Sequence, residues 1–206
     1  MKMQQPRRRS SLSADTQKKG HFLWNAGRTV SNYLEEKAEN LVTGKDVLEF
    51  GAGAGLPSLG YLWGSSPEKL ARHLEHPSSG FDLLILADLL FNHSEHSKLI
   101  SSVQQTLKRS PEARALVFFT PYRPWLLEKD LAFFDLARDA GFKVEKLLEH
   151  VMEKVMFEND RGESKGSPSP SSLHLLSFYD QDEVLRRTVY GYELQWTEHE
   201  LRKEKI

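Results

Sequence analysis

A short apolar strand pattern, Val47-Leu48-Glu49-Phe50, runs straight into the alternating small residues Gly51-Ala52-Gly53-Ala54-Gly55. Small residues at that spacing let a backbone turn tightly and come close to a bound ligand. A nucleotide-type α/β unit then calls for a helix, a second strand and, roughly twenty residues on, an acidic residue that grips a ribose. Here the chain passes from Leu56-Pro57-Ser58-Leu59 directly to Gly60-Tyr61-Leu62-Trp63-Gly64. The stretch from Gly51 to Gly60 is shorter than the dozen or so residues that a parallel crossover takes. The expectation is that the 46–50 strand pairs with the 82–88 strand, bridged by a 67–76 helix. One sheet edge is then poorly covered, which favours association.

The rest of the chain alternates helix and strand patterns. Leu23, Ala26, Val30, Tyr33, Leu34 and Leu41 recur at helical intervals before Gly44. Pro67 suits a first-turn position, with Leu70, Ala71 and Leu74 on one face. Phe81 to Asp88 is nearly continuous apolar sequence, as expected of a central strand covered on both faces. Asn92 or Ser94 is placed to cap a helix running to Lys108, Ala113–Thr120 reads as another buried strand, and Glu128–Ala140 as a helix closed by Gly141. Over 142–157, Val144, Leu147, Leu148, Val151 and Val155 fit a helical face. Thr188 to Trp196 alternates like a strand. Strand and helix in this order indicate an α/β sheet with parallel strands.

Residues 1–19 carry Arg7-Arg8-Arg9 with no apolar period and read as a disordered tail; the Ser/Pro-rich stretch within 159–181 reads as a disordered insert, and 198–206 as a charged tail. One domain over 20–197 remains. A formal charge of -1, from 28 basic and 29 acidic residues, gives no global field towards nucleic acid or an anionic membrane. No apolar run approaches the roughly twenty residues of a span. The absence of cysteine excludes disulfides and thiolate chemistry and fits a soluble, intracellular protein. His93 and His96 flank Glu95, a spacing too common to carry a metal site.

Five blocks in order carry a resemblance: Leu23-Trp24-Asn25-Ala26-Gly27-Arg28; the glycine turn extended by Leu56-Pro57-Ser58-Leu59; Ala87-Asp88-Leu89-Leu90-Phe91-Asn92-His93-Ser94-Glu95-His96; Phe119-Thr120-Pro121-Tyr122-Arg123-Pro124-Trp125; and Arg187-Thr188-Val189-Tyr190-Gly191-Tyr192. They resemble the fungal methyltransferases described as nicotinamide N-methyltransferase-like and as N-terminal and lysine methyltransferases of elongation factor 1-alpha. The likeness covers about 21–159 and 182–197. It implies a class I methyltransferase (Rossmann-like) α/β sheet with helices on both faces, here incomplete on the side of the second and third strands. It also implies a strand near 142–148, S-adenosyl-L-methionine as cofactor, no metal, and a cytoplasmic monomer acting on the N-terminal glycine and adjacent lysine of elongation factor 1-alpha.

By the same resemblance Trp24, Gly51, Ala52, Gly53, Trp63 and Ala87 match cofactor-binding positions, and Asp88 with Phe91 matches an acidic-x-x-aromatic pattern at the amine site. A carboxylate beside an aromatic ring suits an incoming amine, which it orients and shields from water. Tyr122, Arg123 and Trp125 are placed to line the acceptor channel. An α-amine, with a reference pKa of about 8 against about 10.4 for lysine, is the easier acceptor to deprotonate. Relatives carry a helix, the second strand with its ribose-binding aspartate and another helix where this chain has none; Glu68 and Glu75 fall on the expected 67–76 helix. A catalytically silent remnant of the family and a nicotinamide or small-amine methyltransferase are the alternative readings.

Overall fold

Residues 83–87 are apolar on both sides of the strand, with Leu83 and Ile85 facing one way and Leu84 and Leu86 the other, so both faces demand cover. The computed structural model describes residues 24–52, 59–74, 76, 80–155 and 181–203. In chain order the elements are α1 (Asn25–Glu36), α2 (Ala38–Leu41), β1 (Val47–Phe50), α3 (Glu68–Ala71), β2 (Leu83–Ala87), α4 (His96–Thr106), β3 (Arg114–Phe119), α5 (Leu127–Asp139), β4 (Phe142–Val151), β5 (Thr188–Trp196) and α6 (Glu198–Lys203). The strands form one sheet in the order β1-β2-β3-β5-β4. β1, β2 and β3 run parallel, and β5 lies antiparallel between β3 and β4.

The core has two layers. Leu84, Leu86, Ala115, Val117 and Phe119 pack against Leu99, Ile100 and Val103 of α4 and Phe133, Phe134 and Ala137 of α5. On the opposite face Leu83, Leu116, Phe118 and Val189 pack against Ala26 and Val30 of α1, with Tyr33 tilted onto Phe118 at 5.6 Å between centroids. The chain is therefore an α/β sheet with helices on both faces. Among the described residues β1 is an edge strand and pairs directly with β2; Leu70 and Leu74 of the bridge reach the core.

Several expectations need correction. The bridging helix is confined to Glu68–Ala71, because His73 N and Leu74 N donate to Leu70 and Ala71 carbonyls three residues back, tightening the chain into turns. Neither Asn92 nor Ser94 caps α4: Ser94 Oγ donates to Asn92 Oδ1 (3.0 Å), and a 3₁₀ turn over His93–Glu95 leads into the helix. Over 142–151 the segment with that helical spacing is strand β4, as the resemblance implies for 142–148. A bulge between Lys146 and Leu148 sets an extra residue into the alternation, so Leu147 and Leu148 both reach the α1 face, whereas Phe142 and Val144 serve the other. Within the segment read as a charged tail, 198–203 is α6, with Leu201 against the core. The 1–19 tail lies outside the described residues, as does the insert but for residue 181, which falls in a helical stretch over 181–187.

Phe118 is fully buried between Tyr33 and Gly191, whose missing side chain leaves room for its ring. Phe118→Ala is expected to cost about 3–5 kcal/mol of unfolding free energy. Leu136→Ala, at a partly exposed position of α5, should stay within about 0.5 kcal/mol. Urea denaturation of both variants checks the pair.

Candidate active site

In an open α/β sheet, ligands bind beyond the carboxyl ends of the parallel strands. The register sets Phe50 beside Leu86, so Gly51 and Ala87 stand level at the ends of β1 and β2. Gly51 is exposed with φ +69°, a conformation suited to glycine, and a Cβ there would meet Leu89 Cδ2 at 2.5 Å. The two ends form a floor with almost no side chain. Ala52 continues it, half-buried, and Gly53 lies outside the described residues.

At Asp88 the backbone enters the left-handed region, φ +53°, the one non-glycine residue to do so among those described. That turn sends the carboxylate into the protein. Thr120 N–H donates to Oδ1 (2.8 Å), while Ala26 N–H (3.3 Å) and Tyr122 OH (3.5 Å) approach Oδ2. Asp88 N–H in turn donates to the Phe118 carbonyl (2.8 Å). One buried carboxyl thus joins the start of α1, the end of β2 and the segment after β3. Burial pushes its pKa up to about 7, against the stabilising donors, and the nearby Asp130 carboxylate adds to the rise. The Tyr122 hydroxyl is held well above the usual phenol range by its own burial and by the Asp88 charge, so it stays protonated and donates.

Trp24 closes one side, its ring edge-on to Tyr122 at 5.2 Å. Beyond Asp88 the chain turns outward, leaving Phe91 61% exposed, with its carbonyl accepting from Arg123 Nη2 (2.5 Å). His93 Nε2 is hydrogen-bonded to Asp130 Oδ1 (2.6 Å), and Asp130 is raised by burial, in opposition to that bond. His96 is buried, and its Nε2 donates to the Leu90 carbonyl (2.8 Å). Desolvation lowers its pKa, disfavouring the protonated ring. The two histidines face different partners, and no cluster of metal-ligating side chains occurs among the described residues.

Trp24, Gly51, Ala87 and Asp88 come together at the strand ends. Trp63 does not join them through any contact described: it packs against the core layer on the α4–α5 face, opposite the layer to which Ala87 belongs. Phe91 is on the surface rather than in the core, and Trp125 is 73% exposed. Sequence reasoning missed the clamp that Tyr122 and the Ala26 and Thr120 amides place on Asp88. Their separations of 34, 62 and 32 residues leave no local signal. The adjacency of β2 and β3 would have brought the last of these within reach.

A sulfonium methyl donor of the nucleoside type needs a close-approach floor for its methionine end and a strand-end carboxylate for its ribose. Gly51, Ala52 and Ala87 fit the first. For the second, β1 is the last strand on its side among the described residues, and the Asp88 carboxylate, which accepts from three protein donors, ends β2 beside the methionine floor rather than a further strand. The methionine end therefore fits, and the ribose end has no carboxylate at a strand end among these residues.

No family model matches the chain. Curated relatives do. Protein N-terminal and lysine N-methyltransferase efm7 of Aspergillus fumigatus is 40% identical over 226 residues, covering 88% of this chain and 80% of the relative. The protein of the same name from Neurospora crassa is 40% identical, covering 85% and 73%, and that from Schizosaccharomyces pombe is 34% identical, covering 84% and 76%. In the first comparison, 88% of 206 residues is about 181, so about 45 of the 226 aligned positions of the relative face no residue here. Identity of this extent, together with a five-stranded α/β sheet and a site at its parallel strand ends, shows that the chain belongs to the family of protein N-terminal and lysine N-methyltransferases, enzymes that methylate proteins.

Proposed function

We propose that this methyltransferase uses S-adenosyl-L-methionine to methylate the N-terminal glycine and adjacent lysine of elongation factor 1-alpha in the cytoplasm. The observation that carries the reading is the buried Asp88 carboxyl, with a pKa of about 7, beside the side-chain-poor floor of Gly51 and Ala87. S-adenosyl-L-methionine, when bound, supplies a methyl group already activated on a sulfonium. The protein's task is to hold an uncharged amine in line with it and to keep water away.

Asp88 is suited to that task. Each carboxylate oxygen offers two lone pairs; Oδ2 meets Ala26 N–H and Tyr122 OH, and Oδ1 meets only Thr120 N–H. One acceptor direction on Oδ1 is left for an incoming ammonium. An ionised Asp88 attracts and orients that group, and the amine loses its proton to solvent before its lone pair forms the new N–C bond. The cofactor, if bound there, would supply the methyl group and keep the S–C electron pair as a thioether. Phe91, exposed beside the site, offers a face to the acceptor. Tyr122 and Trp24 wall the opposite side.

The substrate assignment is tested with peptides carrying the first residues of elongation factor 1-alpha. Transfer of a labelled methyl group to the free-amine peptide is expected, with loss of terminal labelling when the α-amine is acetylated. Label on nicotinamide and none on the peptide would favour the small-amine alternative. S-adenosylhomocysteine should bind about a hundredfold more weakly than to a full-length relative with the ribose carboxylate, since one or two charge-assisted bonds of about 1.5–3 kcal/mol are lost. Titration calorimetry on both proteins checks this.

Asp88→Asn tolerates the left-handed backbone and removes the charge. It should lower transfer by about a hundredfold or more while the protein stays folded by circular dichroism. The wild-type rate should rise with pH through about 7 as Asp88 ionises. Stability moves the other way. A carboxyl whose folded pKa lies above its unfolded value of 3.8 stabilises most fully at low pH, and that contribution fades as pH rises towards 7. The wild-type minus Asp88→Asn difference in unfolding free energy should fall between pH 4 and 7 by up to about 1.4 kcal/mol per unit and then level. Urea titrations across that range measure it.

A further inference from the structure

The two edges of the sheet are built differently. β4, the outer strand on one side, is ten residues long, carries Lys143, Glu145, Lys146 and Glu149, and is interrupted by a bulge. Charge and bulge keep an edge from pairing. β1, on the other side, has four residues and an unbroken register with β2, and among the described residues nothing pairs with its outer side.

The polarity of that outer side is fixed by local bonds. Asp46 N–H donates to Asp82 Oδ2 (3.1 Å), and its carbonyl accepts from Asp82 N–H (2.9 Å) and Leu83 N–H (3.2 Å). Asp46, Leu48 and Phe50 therefore turn their main-chain groups towards β2. Alternation turns those of Val47 and Glu49 outward, whereas Lys45 precedes the strand and its N–H donates to the Val42 carbonyl (3.0 Å). The side chains of the same three residues are exposed, Val47 by 37%. Glu49 has no ion-pair partner among the described residues.

We propose that β1 pairs antiparallel with β1 of a second copy, across a two-fold axis at Val47. Outward groups must meet outward groups, so only registers that set odd-numbered positions opposite odd-numbered positions make hydrogen bonds. Centring on Val47 sets Val47 opposite Val47 and Lys45 opposite Glu49 twice. Centring on Glu49 opposes two carboxylates; centring on Leu48 sets Val47 against Glu49 and Lys45 against Gly51; centring on Asp46 sets Lys45 against Val47. The Val47 register alone pairs the outward main-chain groups of Val47 across the axis, sets the Glu49 N–H towards the Lys45 carbonyl and forms two ion pairs. It consumes the edge in both copies, so the assembly closes at two. So short an edge buries less than the roughly 1,000 Å² of a stable interface, and the dimer is weak and concentration-dependent. A dimer of this kind differs from the monomer expected by resemblance and is in line with the association expected of an uncovered edge.

Sedimentation velocity of the full chain over a concentration series tests the pairing. Wild type should shift from monomer to dimer as concentration rises. Lys45→Glu and Glu49→Lys should each weaken self-association tenfold or more, because like charges then face each other twice. An equimolar mixture of the two variants should form a heterodimer, since every charge there meets its opposite. A wild type that stays monomeric, single variants that dimerise as the wild type does, or a mixture no tighter than its components overturns the proposal. Hydrogen exchange of the wild type is the variant-free control: the Val47 and Glu49 amides should slow with concentration, and unchanged rates there contradict it.

Discussion

One buried carboxyl holds the working end of this sheet together. Asp88 ends β2 with a left-handed turn and accepts from the first turn of α1 and from the segment after β3. An uncompensated charge at that depth would be prohibitive, and the amide and hydroxyl donors around it lower the cost. Burial still prevails, leaving the group at about 7. The same interaction that assembles the site thus sets a carboxyl that changes charge near neutrality.

The sheet around it is ordinary in its interior and unusual at one edge. β2 and β3 are covered on both faces and pair in register from Leu83 and Arg114 to Ala87 and Phe118. Among the described residues β1 has only β2 beside it, and along it exposed Val47 and Glu49 alternate with half-buried Leu48 and Phe50 at 4%. The edge and the incomplete ribose grip share one origin in the sequence: too few residues follow Gly51 to make a crossover and another strand.

That origin was legible in the sequence, as were β1, β2, β3, β5 and the neighbours that chain length imposes on β1. The register and the turns were less so. β4 was disguised by its bulge, which turns a period of two into apparent helical spacing at Val144, Leu147 and Leu148. α4 starts without its expected cap because Ser94 and Asn92 bond to each other. At the site, Asp88 was singled out through its motif, but the partners that fix its conformation and its pKa come from segments remote in sequence. Only after the strands are aligned does Thr120 lie beside Asp88, and only after α1 packs on Phe118 does Ala26 N–H reach it. The Glu49–Lys45 relation across a two-fold axis is a property of the edge rather than of any motif.

Asp88 sits in the site as a buried carboxyl poised near neutrality. Carbon-13 NMR of protein labelled at the aspartate side-chain carboxyls measures this directly, with the Asp88 signal identified by its loss in Asp88→Asn. A signal that titrates near pH 7 in the folded protein is expected. A signal titrating near 4, as in an exposed aspartate, would contradict it.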